Sequence, residues 1–281
     1  MKAVVIGSDS RLGLEVAASL QGRDIPFVSI SGKDPVLESP RLLQHAFSVH
    51  GATQVVNVLS REWLATADPK RHRLALQVVQ NLCKACRVAD AQLIHVSNDS
   101  MFAGRRGTAY REGDWPDRLD ETSRHVLKAE SYVRKRVPGH LVLRTGPLVA
   151  ASGDNLFTEV VARLQAGEPV EYTEDKICPT PAADVARVIA AIILQLDCGA
   201  TPWGVYHYCS SDAASPYNFA EAVLALASQY GKLRREDVSL RVVPGQERHR
   251  ILNCHNLLGA FGIKQRPWRA ALPSVVAEYC R

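Results

Sequence analysis

Strand-like apolar runs and helix-period segments take turns from the first residues of this 281-residue chain, and few folds accommodate that order. Residues 2–6 read as a buried strand, and a glycine-containing turn leads from it into apolar positions at helical spacing over 12–20. Further strands are expected at 27–30, 54–58, 92–96 and 140–144. Between them, Ser39-Pro40 opens a helix that Gly51 can close, Asp68-Pro69 opens one reaching residue 88, and 122–136 forms another that stops before Pro138. This alternation argues for a parallel sheet covered on both faces. The fold class is therefore α/β: a Rossmann-type, doubly wound parallel sheet.

The second half changes character. Helices are expected at 157–166, 183–196, 219–230 and 268–279, with short extended pieces at 170–173, 205–208 and 241–244. These predict a smaller mixed α/β lobe over 151–281 beside a nucleotide-type lobe over 1–150, with some chain exchange between the two. A chain with 46% hydrophobic residues can build such cores. The net charge of +5 is mild, and the clusters Lys70-Arg71-His72-Arg73 and Arg134-Lys135-Arg136 read as solvated helix faces, so no nucleic-acid partner is expected. No apolar run is long enough to span a membrane and the first residues lack a signal-peptide pattern, so a cytoplasmic protein is expected. Seven cysteines, an odd number, do not suggest a disulfide framework; Cys83-Lys-Ala-Cys86 lies within a helical pattern and reads as packing. The nine histidines show no metal-ligand spacing, so no metal site is expected.

The turn after the first strand reads Gly7-Ser-Asp-Ser10-Arg-Leu-Gly13. A phosphate-cradling turn of the Gly-x-x-Gly-x-x-Gly type needs glycine where the backbone approaches pyrophosphate and where helix meets strand. Ser10 replaces the middle glycine; its hydroxyl either obstructs a phosphate or bonds it. The second strand ends at Ser31-Gly-Lys33, with no acidic residue to bond a ribose 2′-hydroxyl. Arg11 and Lys33 could instead meet a 2′-phosphate, which favours NADP(H) over NAD(H). The candidate cofactor residues in this region are Gly7, Ser10, Arg11, Leu12, Gly13, Ser31 and Lys33.

Several further segments then fall into a recognisable order. They are Val55-Val-Asn57, His95-Val-Ser97-Asn98-Asp-Ser-Met-Phe102-Ala-Gly104, Ala109-Tyr110-Arg-Glu112-Gly-Asp114 and Leu143-Arg144-Thr145. After these come Gly153-Asp-Asn155-Leu-Phe157, Asp175-Lys-Ile-Cys-Pro179-Thr180, Ala183-Asp184-Val-Ala186, Gly204-Val-Tyr-His207 and Phe261-Gly262-Ile263. Together they resemble, almost end to end, dTDP-4-dehydrorhamnose reductase and its relatives in the extended short-chain dehydrogenase/reductase superfamily. The resemblance implies an NADPH-binding lobe with Asn57 and Ser97 at the cofactor, and a sugar-nucleotide lobe with Asn155, Pro179 and Thr180 at the substrate. It implies hydride delivery to a 4-keto group, with a tyrosine as proton donor, a lysine four residues on, and a threonine polarising the ketone.

Those catalytic slots are altered here. Asn98 stands for the threonine, Ser100 for the cleft tyrosine after it, Thr122 for the proton-donor tyrosine and Val126 for the lysine. Threonine is a far weaker proton donor than tyrosine, whose own phenol needs a nearby cation to act near neutrality. Tyr172-Thr-Glu-Asp-Lys176 has the right spacing but spans a strand end and a loop, which separates the pair. Tyr132 lies well beyond the expected slot, Tyr110 reads as a packing residue, and no Gly-x-Ser-x-Gly hydrolase elbow is present. The expectation is a catalytically diverged protein that binds NADP(H), weakly or not at all, or a nucleotide sugar, as a regulatory subunit, a homodimer or a partner subunit. The alternatives are a working NADP(H)-dependent reductase with a substituted site and a related sugar-nucleotide epimerase. The segment 105–118 suits a lid or an idle loop.

Overall fold

The computed structural model describes residues 2–65, 68–167 and 169–281. Its centre is a six-stranded sheet made of β1 (Ala3–Ile6), β2 (Phe27–Ile30), β3 (Gln54–Asn57), β4 (Gln92–Asn98), β5 (His140–Thr145) and β6 (Gly204–Tyr208). The order across the sheet is β6-β5-β4-β3-β1-β2, and every pairing is parallel. The chain leaves β1 toward β2 and returns past it to β3. The winding therefore reverses between β1 and β3, and the crevice at their carboxyl ends is where a doubly wound sheet receives a ligand.

The helices cover both faces. On one lie α1 (Arg11–Gln21), α7 (Ala182–Asp197) and α9 (His255–Phe261), packed on Val5, Val56, Ile94 and Leu143. On the other lie α2 (Pro40–His50), α4 (Pro69–Ala89) and α5 (Glu121–Arg136), packed on Val4, Val55, Leu93 and Val142. Capping follows the sequence signals: Ser39 accepts from Arg41 N and Gly51 closes α2 at φ +60°, while Asp68 accepts from Lys70 N at the start of α4. Two short helices escaped the sequence reading, α9 and α3 (Leu59–Ala65). Both are single-pass elements without a proline or serine start; α3 is seated by Asn57, whose Oδ1 accepts from Ser60 N.

A third core joins α6 (Leu156–Gln165), α8 (Pro216–Gln229) and α10 (Trp268–Cys280) with the strand pair Val170–Tyr172 and Leu240–Val242. We propose the division near residue 150 as the lobe boundary, with α7, β6 and α9 as the segments that the second half returns to the main sheet. Cys83 and Cys86 are buried in α4, and burial pushes the Cys83 thiol up to about 12 and raises that of Cys86 as well, so both are packing residues. No helix among the described residues is long and apolar enough to cross a membrane.

Close packing of α1 on its turn sets a sharp requirement at Gly13, where a β-carbon would fall on the Gly7 carbonyl oxygen and 2.7 Å from Ser8 Cα. Gly13→Ala is expected to destabilise the fold by about 1–3 kcal/mol, read as a lower denaturant midpoint; an unchanged midpoint would contradict this packing.

Candidate functional site

At the carboxyl ends of the strands, a cleft of about 1390 Å3 runs between the sheet and the α6–α8–α10 lobe. The sheet side is lined by Ser10, Arg11, Leu12, Val58, Arg61, Asn98, Asp99, Ser100 and Thr122, and the opposite side includes Asn155, Arg163, Tyr172 and Arg250. Of the residues singled out from sequence, the structure brings Ser10, Arg11, Leu12, Asn98, Thr122 and Asn155 to this cleft. Gly7, Gly13, Ser31, Lys33, Asn57, Ser97, Val126, Pro179 and Thr180 are not among its lining residues.

The glycine turn is largely self-satisfied. Ser10 Oγ donates to Gly7 O at 2.6 Å and accepts from Gly13 N at 3.0 Å, which makes it the N-cap of α1. The hydroxyl that could have met a phosphate is thus committed. Arg11 is held by Glu15 at 2.5 Å and by both carboxylate oxygens of Glu278, at 2.7 and 2.9 Å. The end of β2, which the sequence leaves without an acid, receives one from the turn itself. Asp9 accepts from Ser31 Oγ at 2.8 Å and from Gly32 N at 2.6 Å. Partial burial works to raise the Asp9 pKa, yet the Gly32 and Ser31 hydrogen bonds and the charge of Lys33 hold it below the usual carboxylate range. Beside it, buried Leu59 crosses the end of β1: a β-carbon at Gly7 would stand 2.7 Å from Leu59 Cβ, and one at Gly32 would stand 2.6 Å from Leu59 Cδ1.

This corner does not fit the 2′-phosphate of NADP(H). A carboxylate occupies it, Lys33 is near enough to act on that carboxylate, and Arg11 is tied elsewhere. Arg11 and Leu12, in the first turn of α1, still line the cleft.

The catalytic slots differ in depth along α5. Thr122 lines the cleft, whereas Val126, one turn on, is 1% exposed inside the α2–α4–α5 core. The rotation of α5 is set by Glu130, which accepts from Arg144 Nη2 at 2.7 Å, from Arg144 Nε at 3.0 Å and from Ser97 Oγ at 2.7 Å, all buried. Ser97 therefore serves this network. Asn57 donates to Ser60 Oγ and lies 3.2 Å from His95 Nδ1. Asn98 Oδ1 accepts from Ser100 N. Asp99 Oδ2 and Ser100 Oγ, beside it in the cleft wall, are buried with no hydrogen-bond partner among the described residues. Asn155 caps α6 through Phe157 N and Thr158 N, while Thr180 Oγ1 donates to Cys178 O and Pro179 O accepts from Ser210 Oγ.

Tyr172 lines the cleft with the Arg163 guanidinium 4.5 Å over its ring, and burial raises its pKa. Lys176 lies in a separate two-residue strand paired with His249. Tyr132 packs against the α2–α4–α5 core. The segment 105–118 is pinned by Tyr110, whose hydroxyl donates to Asp117 at 2.7 Å and accepts from Gly104 N and Arg105 N. Sequence reasoning missed Arg61, whose Nε donates to Thr145 Oγ1 and whose Nη2 donates to Gly146 O, placing a cation across the ends of β3 and β5. Its place just beyond the β3 carboxyl end was the available signal.

A doubly wound parallel sheet with its cleft at the switch point defines a Rossmann-type α/β architecture. The family described as the RmlD substrate binding domain matches residues 1–281, and the chain belongs to it. The chain is 22% identical to the spore coat polysaccharide biosynthesis protein SpsK of Bacillus subtilis, over 99% of this chain and 97% of that protein. It is 26% identical to a dTDP-4-dehydrorhamnose reductase of Streptomyces griseus, over 99% of this chain and 93% of that one. Among solved structures it resembles the dTDP-4-dehydrorhamnose reductase of Bacillus anthracis in complex with NADP, with TM-score 0.82, 18% identity and 99% of both chains covered. At that identity the likeness shows the fold.

Two predictions follow from the buried polar groups. Glu130→Ala leaves Arg144 buried and unpaired, at an expected cost of about 3–5 kcal/mol; a loss under about 1 kcal/mol would contradict the role given to the pair. Burial lowers the pKa of His95 to about 4 and, with the Arg144 charge, that of His207 to about 3, from 6.5 for a free ring. Below 6.5 the unfolded chain binds protons that these folded rings refuse, so stability is full above that value and falls as pH drops toward 4. The unfolding free energy from denaturant titration should decline between pH ~7 and ~5, by up to about 2 kcal/mol per ring; a flat profile would contradict it.

Proposed function

We propose that this chain binds a nucleotide sugar in the cleft and does not perform the hydride transfer for which the reductases among its relatives are named. One observation carries the reading: of the two positions on α5 that match the family's proton-donor pair, Thr122 faces the cleft and Val126 is packed in the core. Neither side chain can supply a proton of suitable acidity or a cation to tune one. The cleft keeps what an anionic ligand needs. Arg61 and Arg163 line it, and the first turn of α1 presents its positive end there. NADP(H) is bound weakly or not at all, because the Asp9 carboxylate stands at the β2 end. The role is that of a cytoplasmic regulatory or partner subunit.

A second reading, a divergent reductase, is favoured by Asn98 and Tyr172 lining the same cleft, and by the reductase activity named for several relatives. In it the Asn98 amide polarises a carbonyl and the Tyr172 phenol donates the proton.

Calorimetry with dTDP-, UDP- and GDP-sugars and with NADPH separates the two. The first reading expects one nucleotide sugar to bind at least about tenfold more tightly than NADPH, and Arg61→Ala to weaken that binding by about tenfold, or about 1.4 kcal/mol. Tight NADPH binding with measurable turnover, lowered about tenfold or more by Asn98→Ala, would overturn it in favour of the second.

A further inference from the structure

At the first turns of α4 and α5, the structure assembles three side chains with metal-ligand chemistry: His72, Glu121 and His125. Glu121 and His125 stand four apart on α5, which puts them on one face, and His72 comes from the first turn of the neighbouring α4. One ligand atom from each lies within 4.8 Å of the other two, and the two imidazole centroids are 4.8 Å apart. His72 is 2% exposed, whereas Glu121 is exposed, so the group opens to solvent on one side.

The tautomer of His125 is also set. Its Nδ1 lies 2.8 Å from the Glu121 carbonyl oxygen, which can only accept, so Nδ1 carries the proton and Nε2 keeps its lone pair. A backbone carbonyl holding the far nitrogen is the usual support for a ligating histidine.

We infer that His72, Glu121 and His125 bind a divalent transition-metal ion of the zinc class. Two imidazoles and one carboxylate suit Zn2+, Co2+ or Ni2+ and not the hard, oxygen-seeking Mg2+ or Ca2+. Bonds of about 2.0–2.1 Å require the three ligand atoms to close in by side-chain rotation and leave a fourth position open. Opposing terms limit the affinity. Both helices direct their positive ends here, and Arg71, Arg73, Arg124 and Lys128 share the same helices. Glu121 supplies the one negative ligand, so binding depends on it strongly.

The test uses the untagged full chain, stripped with a chelator. Zn2+ is titrated by calorimetry, and Co2+ by the visible d–d absorption that imidazole coordination produces. One ion per chain at micromolar affinity or tighter is expected, with Glu121→Gln and His125→Ala each weakening it by at least about tenfold. His50→Ala, at the far end of α2, should change nothing. Because His72 is buried between helices, the two outer ligands carry the test, and circular dichroism of the metal-free variants confirms their fold. No saturable binding, or binding that both variants leave intact, would overturn the assignment.

Discussion

The Glu130–Arg144 pair is the constraint on which the reading of the cleft rests. Both side chains are almost wholly buried, at 2% and 5% exposure, and the carboxylate also takes the Ser97 hydroxyl. Removing two charges from water is costly, and only well-formed hydrogen bonds recover that cost. The pair therefore permits one rotation of α5 against β4 and β5. With position 130 turned onto the sheet, position 126 turns inward one helical turn earlier, and only the first turn, at Thr122, reaches the cleft. A lysine at position 126 would have to reach the cleft from within that core. Positions 122, 126 and 130 lie on one stripe of α5 that runs from the cleft into the core, so the proton-donor pair is lost through the residues that stand at 122 and 126.

The nucleotide end of the cleft shows the same pattern of internal satisfaction. Ser10 caps the helix that a phosphate would otherwise cap, Asp9 bonds the β2 end, and Leu59 bridges the glycines of both turns. Ser10 and Asp9 thus satisfy, from within the chain, backbone N–H groups at this end of the cleft. The middle of the cleft is different: Asp99 and Ser100 present buried polar atoms without a partner among the described residues, and Arg61 lies across the strand ends. Buried polar groups without partners are costly in an idle protein and are accounted for at a ligand site.

Much of this was legible in the sequence. The alternation of apolar runs with capped helical segments foretold the parallel sheet, because burial on both faces leaves continuous apolar strands such as Val4-Val5-Ile6. The substitutions at Asn98, Thr122 and Val126 were equally plain. What stayed hidden depends on contacts between distant segments. The absence of an acid in Ser31-Gly32-Lys33 pointed to a 2′-phosphate, yet the folded turn delivers Asp9 to that place. Arg11 read as a phosphate ligand until Glu278, from the last helix, closed on it. Histidines without ligand spacing in the chain meet because α4 and α5 are packed side by side.

Whether the cleft binds without transferring hydride is read from an isotope. The chain is incubated at high concentration with NADPH or NADH carrying deuterium at the transferable position and with dTDP-4-dehydrorhamnose, and the sugar nucleotide is examined by mass spectrometry. Accumulation of a product over many hours reveals even a very slow reaction. The recovered sugar is expected to carry no deuterium. Deuterium in a reduced sugar nucleotide, formed in proportion to the protein present, would contradict it.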